Sequence, residues 1–457
     1  MPTYDAIIIG TGQSGPFLAQ TMSKQRWRVA VIERKLIGGT CVNTGCIPTK
    51  TLVASARAAY VARRAADFGV DIASPVRVDM KRVKARKDDV AGDHNRYVTQ
   101  LLETLPNVTL YRGHGRFESR NTVRVNDEIL EAPKIFLNVG ARAAIPKIPG
   151  LDQVKYLTNS SMMEVDFLPQ HLVIMGGSYV GLEFGQMYRR FGSEVTIIEL
   201  GPRLISRDDE DVSDAVREIL EKEGIHVRLN IGVKAVEPRG KQVAVKLGEQ
   251  GSDAIVGSHL LIATGRRPNT DDLGLDKAGV ELDERGYVRV DDQLRTNVPG
   301  IWAMGDCNGK GAFTHTSYND YEIIAANLFD NDPRRVSDRI LCYGLFIDPP
   351  LGRAGMTEKE ARASGRRVLI GKRLMTNVSR AVERGETDGF MKILVDADSK
   401  EILGAAILGI NGDEVVQVLL DVMYAKKPYT VIQRAMHIHP TVSELLPTTL
   451  GELQPLS

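Results

Sequence analysis

Cysteine is scarce in this sequence, at four residues in 457. So low a density excludes a secreted scaffold stapled by disulfides, and a cytoplasmic protein with reduced thiols is expected. Charge of one sign is lacking too: 59 Lys and Arg stand against 58 Asp and Glu, for a formal +1. Nothing in that balance draws the chain to nucleic acid or to a membrane surface, and the basic stretch over 81–87 reads as a solvated helix face. No apolar run is long enough to span a bilayer. The first residues pass almost at once into a strand, without a basic-then-apolar targeting pattern. No metal centre is expected either, because His437 and His439 have no third and fourth ligands spaced to join them. With 43% apolar and 26% charged residues, the chain reads as a globular enzyme too long for one core.

Two of the four cysteines fall in one stretch, Gly38-Gly39-Thr40-Cys41-Val42-Asn43-Thr44-Gly45-Cys46-Ile47-Pro48-Thr49-Lys50. Spacing alone fits a structural loop as well as a reactive pair. The preceding segment raises its significance: an apolar strand over 6–9, then Gly10-Thr11-Gly12-Gln13-Ser14-Gly15, a helical run, a strand over 29–32, and Glu33. This is a dinucleotide fingerprint. Its glycines allow a tight turn that brings a pyrophosphate to a helix N-terminus, and its carboxylate takes a ribose hydroxyl. The device recurs about 165 positions later: a strand over 171–174, Gly176-Gly177-Ser178-Tyr179-Val180-Gly181, a helix, and a strand over 194–198 ending in Glu199. Ser178 replaces the middle glycine, a small side chain that crowds a pyrophosphate without blocking it. Two nucleotides and a cysteine pair suggest an electron relay, since hydride and thiol–disulfide chemistry need the reacting atoms held in contact. A thiolate at Cys46 would gain from the helix start that follows it.

Elsewhere the pattern predicts helices over 51–66, 77–103, 311–328 and 415–424. Strands are expected over 108–111, 113–117, 122–125, 134–137, 389–394 and 403–408. Pro and Gly density over 146–150 marks a domain boundary.

The chain resembles the flavin-dependent pyridine nucleotide–disulfide oxidoreductases, the group of dihydrolipoamide dehydrogenase, glutathione reductase and mercuric reductase. The likeness runs over essentially all of its length. It implies an α/β fold with two Rossmann-like dinucleotide-binding domains and a C-terminal α+β dimerisation domain. The expected divisions are 1–150 and 281–338 for FAD, 151–280 for NAD(P), and 339–457 for the interface. By resemblance, FAD would contact Gly10, Gly12, Ser14, Gly15, Glu33, Gly39, Thr40, Lys50, Gly115, Gly140, Asp306, Phe313, Thr314 and His315. The nicotinamide nucleotide would contact Gly176, Ser178, Tyr179, Val180, Glu183, Glu199 and Gly265, with Tyr179 covering its empty pocket. Cys46 would be the thiolate facing the flavin and Cys41 the thiol that exchanges with substrate. Lys50 and Glu183 would pair beside the flavin. His439, oriented by Glu444, would carry protons to and from the exchanging thiol across a homodimer interface. Histidine suits that task with a free pKa of about 6.5.

Glu199 favours the free ribose of NADH over the phosphate of NADPH, although Arg203 and Arg207 lie nearby. Gly451 to Ser457 holds no cysteine pair of the kind that takes mercury, while His439, generally missing from mercuric reductases, is present. Dihydrolipoamide dehydrogenase fits the cysteines, Lys50, Glu183, His439 and Glu444. Two segments, Phe313 to Tyr321 and Asp348-Pro349-Pro350-Leu351-Gly352-Arg353, depart from that enzyme. They look closer to the bacterial hypochlorous-acid-resistance reductases, which lack the terminal cysteines and can reduce copper(II). The expected activity is therefore electron transfer from NAD(P)H through FAD to Cys41–Cys46 and on to a disulfide or another oxidant. Copper(II) reduction, dihydrolipoamide oxidation and a non-enzymatic interaction role are the alternatives.

Overall fold

A computed structural model describes residues 1–248 and 253–456. Its first strand, Ala6–Ile9, is buried at every position and lies at the centre of a five-stranded parallel sheet. The sheet order is Ile301–Ala303, Ile135–Leu137, Ala6–Ile9, Val29–Glu33, Val108–Arg112. Alternate residues serve opposite faces. Ile7, Ile9, Ala30 and Ile32 pack with Phe117 and Val123 on one side, while Ala6, Ile8, Val29 and Val31 pack with Leu18 and Met22 on the other. A parallel sheet covered on both faces needs such continuously apolar strands.

The second fingerprint builds a smaller copy of this layout. His171–Met175 is flanked by Glu194–Ile198 and His259–Ile262 in a four-stranded parallel sheet completed by His226–Arg228. Two connecting strands, Ala141–Ala143 and Arg266–Pro268, pair antiparallel where the chain leaves and re-enters the first domain. The expected boundary at 280 is displaced. Leu273, Leu275, Ala278 and Val280 pack in the core of the first domain with Phe117 and Ile301, so the chain has returned there before residue 273.

The third unit is a six-stranded antiparallel sheet, ordered Cys342–Leu345, Leu351–Gly355, Ile402–Leu408, Phe390–Asp396, Val368–Leu374, Gln454–Pro455. The helix Gly412–Tyr424 packs on it through Val415, Val416 and Leu419.

Three further expectations shift by part of an element. The helix read over 51–66 begins at Cys46 and runs to Arg63, with Cys41 in a short helix of its own, Gly39–Asn43. The strand read over 113–117 forms only as Arg116–Ser119. The helix read over 311–328 is Thr314–Ala325, closed by a π-helical turn. Among the described residues, no helix is long and apolar enough to cross a membrane.

Candidate active site

Both fingerprint turns are closed so tightly that side chains are excluded. A Cβ on Gly10 would lie 2.3 Å from the Asn138 carbonyl oxygen, and one on Gly181 would lie 2.0 Å from that of Gly176. The acidic residues are fixed in matching ways. Glu33 Oε2 accepts the Thr11 amide at 3.0 Å and the Thr11 hydroxyl at 2.7 Å, while Oε1 accepts the Lys35 amide at 2.8 Å. Glu199 accepts the Gly177 amide at 2.7 Å and the Gly201 amide at 2.8 Å. Each carboxylate is held beside its turn with lone pairs to spare for ribose hydroxyls.

The first cradle fits FAD. Gly140 has a φ of 64°, and a Cβ there would meet nothing within 4 Å, so the backbone borders open space; Gly265, expected at the nicotinamide nucleotide, is open in the same way with a φ of 123°. Asp306 stands beside Arg266, whose Nε is buried without a hydrogen-bond partner and lies 3.5 Å from the Asp306 carboxylate. Burial raises the Asp306 pKa against the pull of Arg266. Asp320 organises this turn: its carboxylate accepts the Gly305 amide at 2.6 Å and the Asn308 side chain at 2.8 Å, and pairs with Arg339. Two of the expected residues also pack within the protein. The Ser14 hydroxyl is fully buried and donates to the Ser317 carbonyl at 2.6 Å, which leaves only its backbone for a cofactor. Gly115 is packed against Ile9 and Ile32.

The cysteines lie where three elements converge. Cys46 opens the helix Cys46–Arg63, and its sulfur is 2.9 Å from the hydroxyl of Thr314, which opens the helix Thr314–Ala325. Both cysteines are free thiols. The hydrogen bond from Cys41 is the largest influence on Cys46; together with Thr314 and Lys50 it outweighs burial and lowers the Cys46 pKa to about 6. Cys41 is pushed the other way, first by that shared hydrogen bond and then by burial. The pair is thus polarised, with the proton on Cys41 and the negative charge on Cys46.

One helical turn on, Lys50 Nζ is 2.8 Å from Glu183 Oε2, on the helix Tyr179–Phe191. Phe346 completes the arrangement: its amide donates to Glu183 Oε1 at 3.1 Å, and its ring lies 4.4 Å beneath the Lys50 ammonium. Ser178 is exposed and does not cap this helix with its side chain. Tyr179 meets Phe313 and Tyr343 edge-on at 5.9 and 5.6 Å, and its hydroxyl donates to Asp208 at 3.3 Å. His315 stacks on Phe313 and bonds the Cys342 carbonyl oxygen at 2.7 Å.

The C-terminal dyad is assembled apart from the thiols. His439 Nδ1 is 3.0 Å from Glu444 Oε2, and the Thr441 amide donates to Glu444 Oε1 at 3.2 Å. Among the described residues, His439 has no bond to either cysteine within the chain, and its side chain is 74% exposed. Met436 and Ile438 beside it are 99% and 81% exposed, which is unusual for apolar residues in one segment.

Sequence reasoning missed Thr11, Asn138, Asp320, Arg339 and Phe346. They hold the expected residues in place: Thr11 stands where the fingerprint specifies no residue type, and Asp320 lies in the singled-out Phe313 to Tyr321 segment without a role assigned to it.

The model of the pyridine nucleotide-disulphide oxidoreductase family matches residues 4–320, and that of the family's dimerisation domain matches residues 342–450. The chain belongs to this family. It is a flavin-dependent NAD(P)H:disulfide oxidoreductase, and its dimerisation domain supports homodimer formation. It is 36% identical over 455 residues to the probable pyridine nucleotide-disulfide oxidoreductase RclA of Escherichia coli K12, covering 98% of each chain. It is 34% identical to the dihydrolipoyl dehydrogenase of Thermus scotoductus, covering 97% of this chain and 96% of that one. A solved structure titled as the Cu(II) complex of HOCl-induced flavoprotein disulfide reductase RclA from Escherichia coli superposes with a TM-score of 0.91. Its sequence identity is 35%, over 99% of each chain.

Proposed function

We propose that the enzyme uses NADH in preference to NADPH and passes two electrons through Cys41–Cys46 to an external disulfide, with His439 of the partner subunit moving the proton. The polarised thiol pair carries this reading. When bound, FAD supplies the acceptor for hydride from the nicotinamide and the donor for reduction of the cysteine disulfide. In the dithiol, Cys41 retains a proton that must leave before its sulfur can attack. His439 takes that proton, and Glu444 keeps the imidazole oriented for the task. The Cys41 sulfur then bonds one substrate sulfur, the substrate S–S bond breaks, and the departing thiolate receives the proton back. Attack by the Cys46 thiolate on Cys41 releases the second substrate sulfur as a thiolate, which takes its proton from solvent, and closes the Cys41–Cys46 disulfide, balancing the two electrons. The exposure of His439, Met436 and Ile438 supports completion of this site by a second subunit.

The preference for NADH rests on the region around Glu199. Arg203 pairs with Glu210 at 2.6 Å and faces Asp214 at 3.8 Å, so a 2′-phosphate would compete with two carboxylates for it. Leu200 beside the carboxylate is an exposed apolar residue.

A second reading, copper(II) as the oxidant, is favoured by likeness to the RclA structure described as a Cu(II) complex. Both readings are tested by following NADH oxidation in the holoenzyme with a low-molecular-weight disulfide or copper(II) as acceptor. The disulfide reading expects thiol production that Cys46→Ser abolishes. It fails when no disulfide turns over above the background oxidase rate.

A further inference from the structure

The segment Phe346–Asp348, of which the sequence singles out only Asp348, as the start of a stretch that departs from a related enzyme, runs from the third domain across two helices of the other domains. One helix, Cys46–Arg63, begins at the reactive thiol and carries Lys50 and Arg57. The other, Tyr179–Phe191, carries Glu183, Gln186 and Arg190. At one end of the segment, the Phe346 amide bonds Glu183 and its ring supports the Lys50 ammonium. At the other end, the Asp348 amide donates to Gln186 Oε1 at 2.7 Å, and Gln186 Nε2 donates to the Asp348 carbonyl at 2.8 Å. The Asp348 carboxylate bridges both helices, meeting Arg57 at 2.6 Å on one and Arg190 on the other. Outer carboxylates hold the two guanidinium groups in turn: Glu386 takes Arg57 at 2.7 Å and Glu223 takes Arg190 at 2.7 Å.

We infer that Phe346–Asp348 is a positioning strap: by tying the two helices together through Arg57 and Arg190, it fixes the Lys50 ammonium near Cys46. None of these residues reacts, and each acts through Lys50. The groups influencing Cys46 are Cys41, Thr314, Lys50 and Glu183, and Lys50 is the one among them that rests on the strap's ring. The Lys50 side chain is 34% exposed, so it has water to turn toward once its seat is loosened. Arg190 is almost completely buried, so loss of the Asp348 charge leaves a guanidinium in low dielectric with one anionic partner fewer. Relaxation of the helix pair follows.

The inference rests on the reading of Cys46 as the low-pKa thiol, and the experiment separates the two. In the reduced holoenzyme, alkylation of Cys46 by iodoacetamide is followed against pH, with the modified peptide identified by mass spectrometry. A wild-type midpoint at the ordinary thiol value overturns the reading of Cys46 itself. With the wild type near 6, Asp348→Asn is expected to raise the midpoint by about half a pH unit or more, and Asp348→Glu to restore most of it. In a Lys50→Met background, the Asp348→Asn shift is expected to vanish, because the group that transmits it is gone. Phe346→Leu removes the ring while keeping the backbone and Asp348. It is expected to raise the midpoint in the same direction, and it decides the matter if Asp348→Asn does not retain flavin. An unchanged midpoint in these variants, accompanied by a lower melting temperature only, overturns the strap. So does a shift that persists without Lys50.

Discussion

Cys46 and Thr314 are 268 positions apart in sequence, and their side chains meet at 2.9 Å. Each opens a helix of the same domain, and that domain is interrupted by an entire second nucleotide-binding fold. The thiol is thus placed by two helix starts that come together only once both halves of the first domain have closed on one sheet. Removing the donor hydroxyl with Thr314→Val is expected to raise the Cys46 pKa, since Thr314 is among the groups that lower it.

The flavin content follows from the first cradle. The purified protein is expected to carry about one FAD per chain, and Asp306→Ala to lose most of it, because that carboxylate, on the turn that Asp320 organises, is the group expected to take the flavin's hydroxyls. Cofactor released by denaturation and separated by chromatography checks both. FMN, or no flavin, contradicts the assignment.

The Cys46 thiolate has a signature of its own. Anaerobic two-electron reduction is expected to bring in a long-wavelength charge-transfer band that rises with pH through a midpoint of about 6 and is absent from Cys46→Ser. In Cys41→Ala the band is expected without reduction, with its midpoint shifted upward, because the Cys41 hydrogen bond is the largest lowering influence and is lost. Absorbance against pH reads both. A band that survives in Cys46→Ser assigns the thiolate to the wrong sulfur.

Much of this was legible in the sequence because its motifs are local. Gly10 to Gly15 with Glu33, the Cys41–Cys46 stretch, and His439 with Glu444 each lie within a few dozen positions: the first is announced by its own pattern, and the other two are short enough to carry a family resemblance. The partners that hold them are not local. Asp320 reaches Gly305 across 15 positions, Phe346 reaches Glu183 across 163, and Asp348 reaches Arg57 across 291. No periodicity relates such residues, and each looks in sequence like an ordinary charge or an apolar strand residue. The role of the Ser14 side chain was hidden for the same reason: it turns inward to Ser317, 303 positions away.

The junction of the second and third domains is held by buried charge. Lys392 is 1% exposed and meets Asp209 at 2.8 Å, Asp211 at 2.6 Å and Glu358 at 2.6 Å. Lys392→Met leaves these carboxylates without their common cation and is expected to cost roughly 3–5 kcal/mol, seen as a fall in melting temperature. Burial alone would raise the Asp211 pKa, but Lys372 and Lys392 hold it below the ordinary value, and Arg190 and Arg57 do the same for Asp348. Both carboxylates therefore contribute stability that is complete above a pH of about 4 and is lost as pH falls through their lower folded-state values. Melting curves from pH 7 down to pH 3 are expected to show that loss, with a smaller slope in Asp348→Asn.

The last test concerns the dyad that lies apart from the thiols it is proposed to serve. If His439 shuttles the proton of a disulfide exchange, His439→Ala slows the disulfide half-reaction by about 10²-fold or more, the contribution of a positioned general acid–base. Flavin reduction by NADH stays nearly unchanged, because hydride arrives without a proton from His439. Stopped-flow measurement of the two half-reactions separates these effects. Copper(II) has no thiolate leaving group to protonate, so the same variant is expected to keep much of its copper(II) reduction. Lipoamide turnover is expected to be weak even in the wild type, because the segments around Tyr318–Tyr321 and Pro349–Arg353 depart from the dihydrolipoamide dehydrogenase pattern. Mixing His439→Ala with Cys46→Ser, each inactive as a homodimer, then asks where the dyad acts. A heterodimer has one site with both defects and one site with neither, provided that the histidine comes from the partner, so up to half of the wild-type disulfide activity per heterodimer returns. If His439 served its own chain's thiols, each site would keep one defect and no activity would return on mixing.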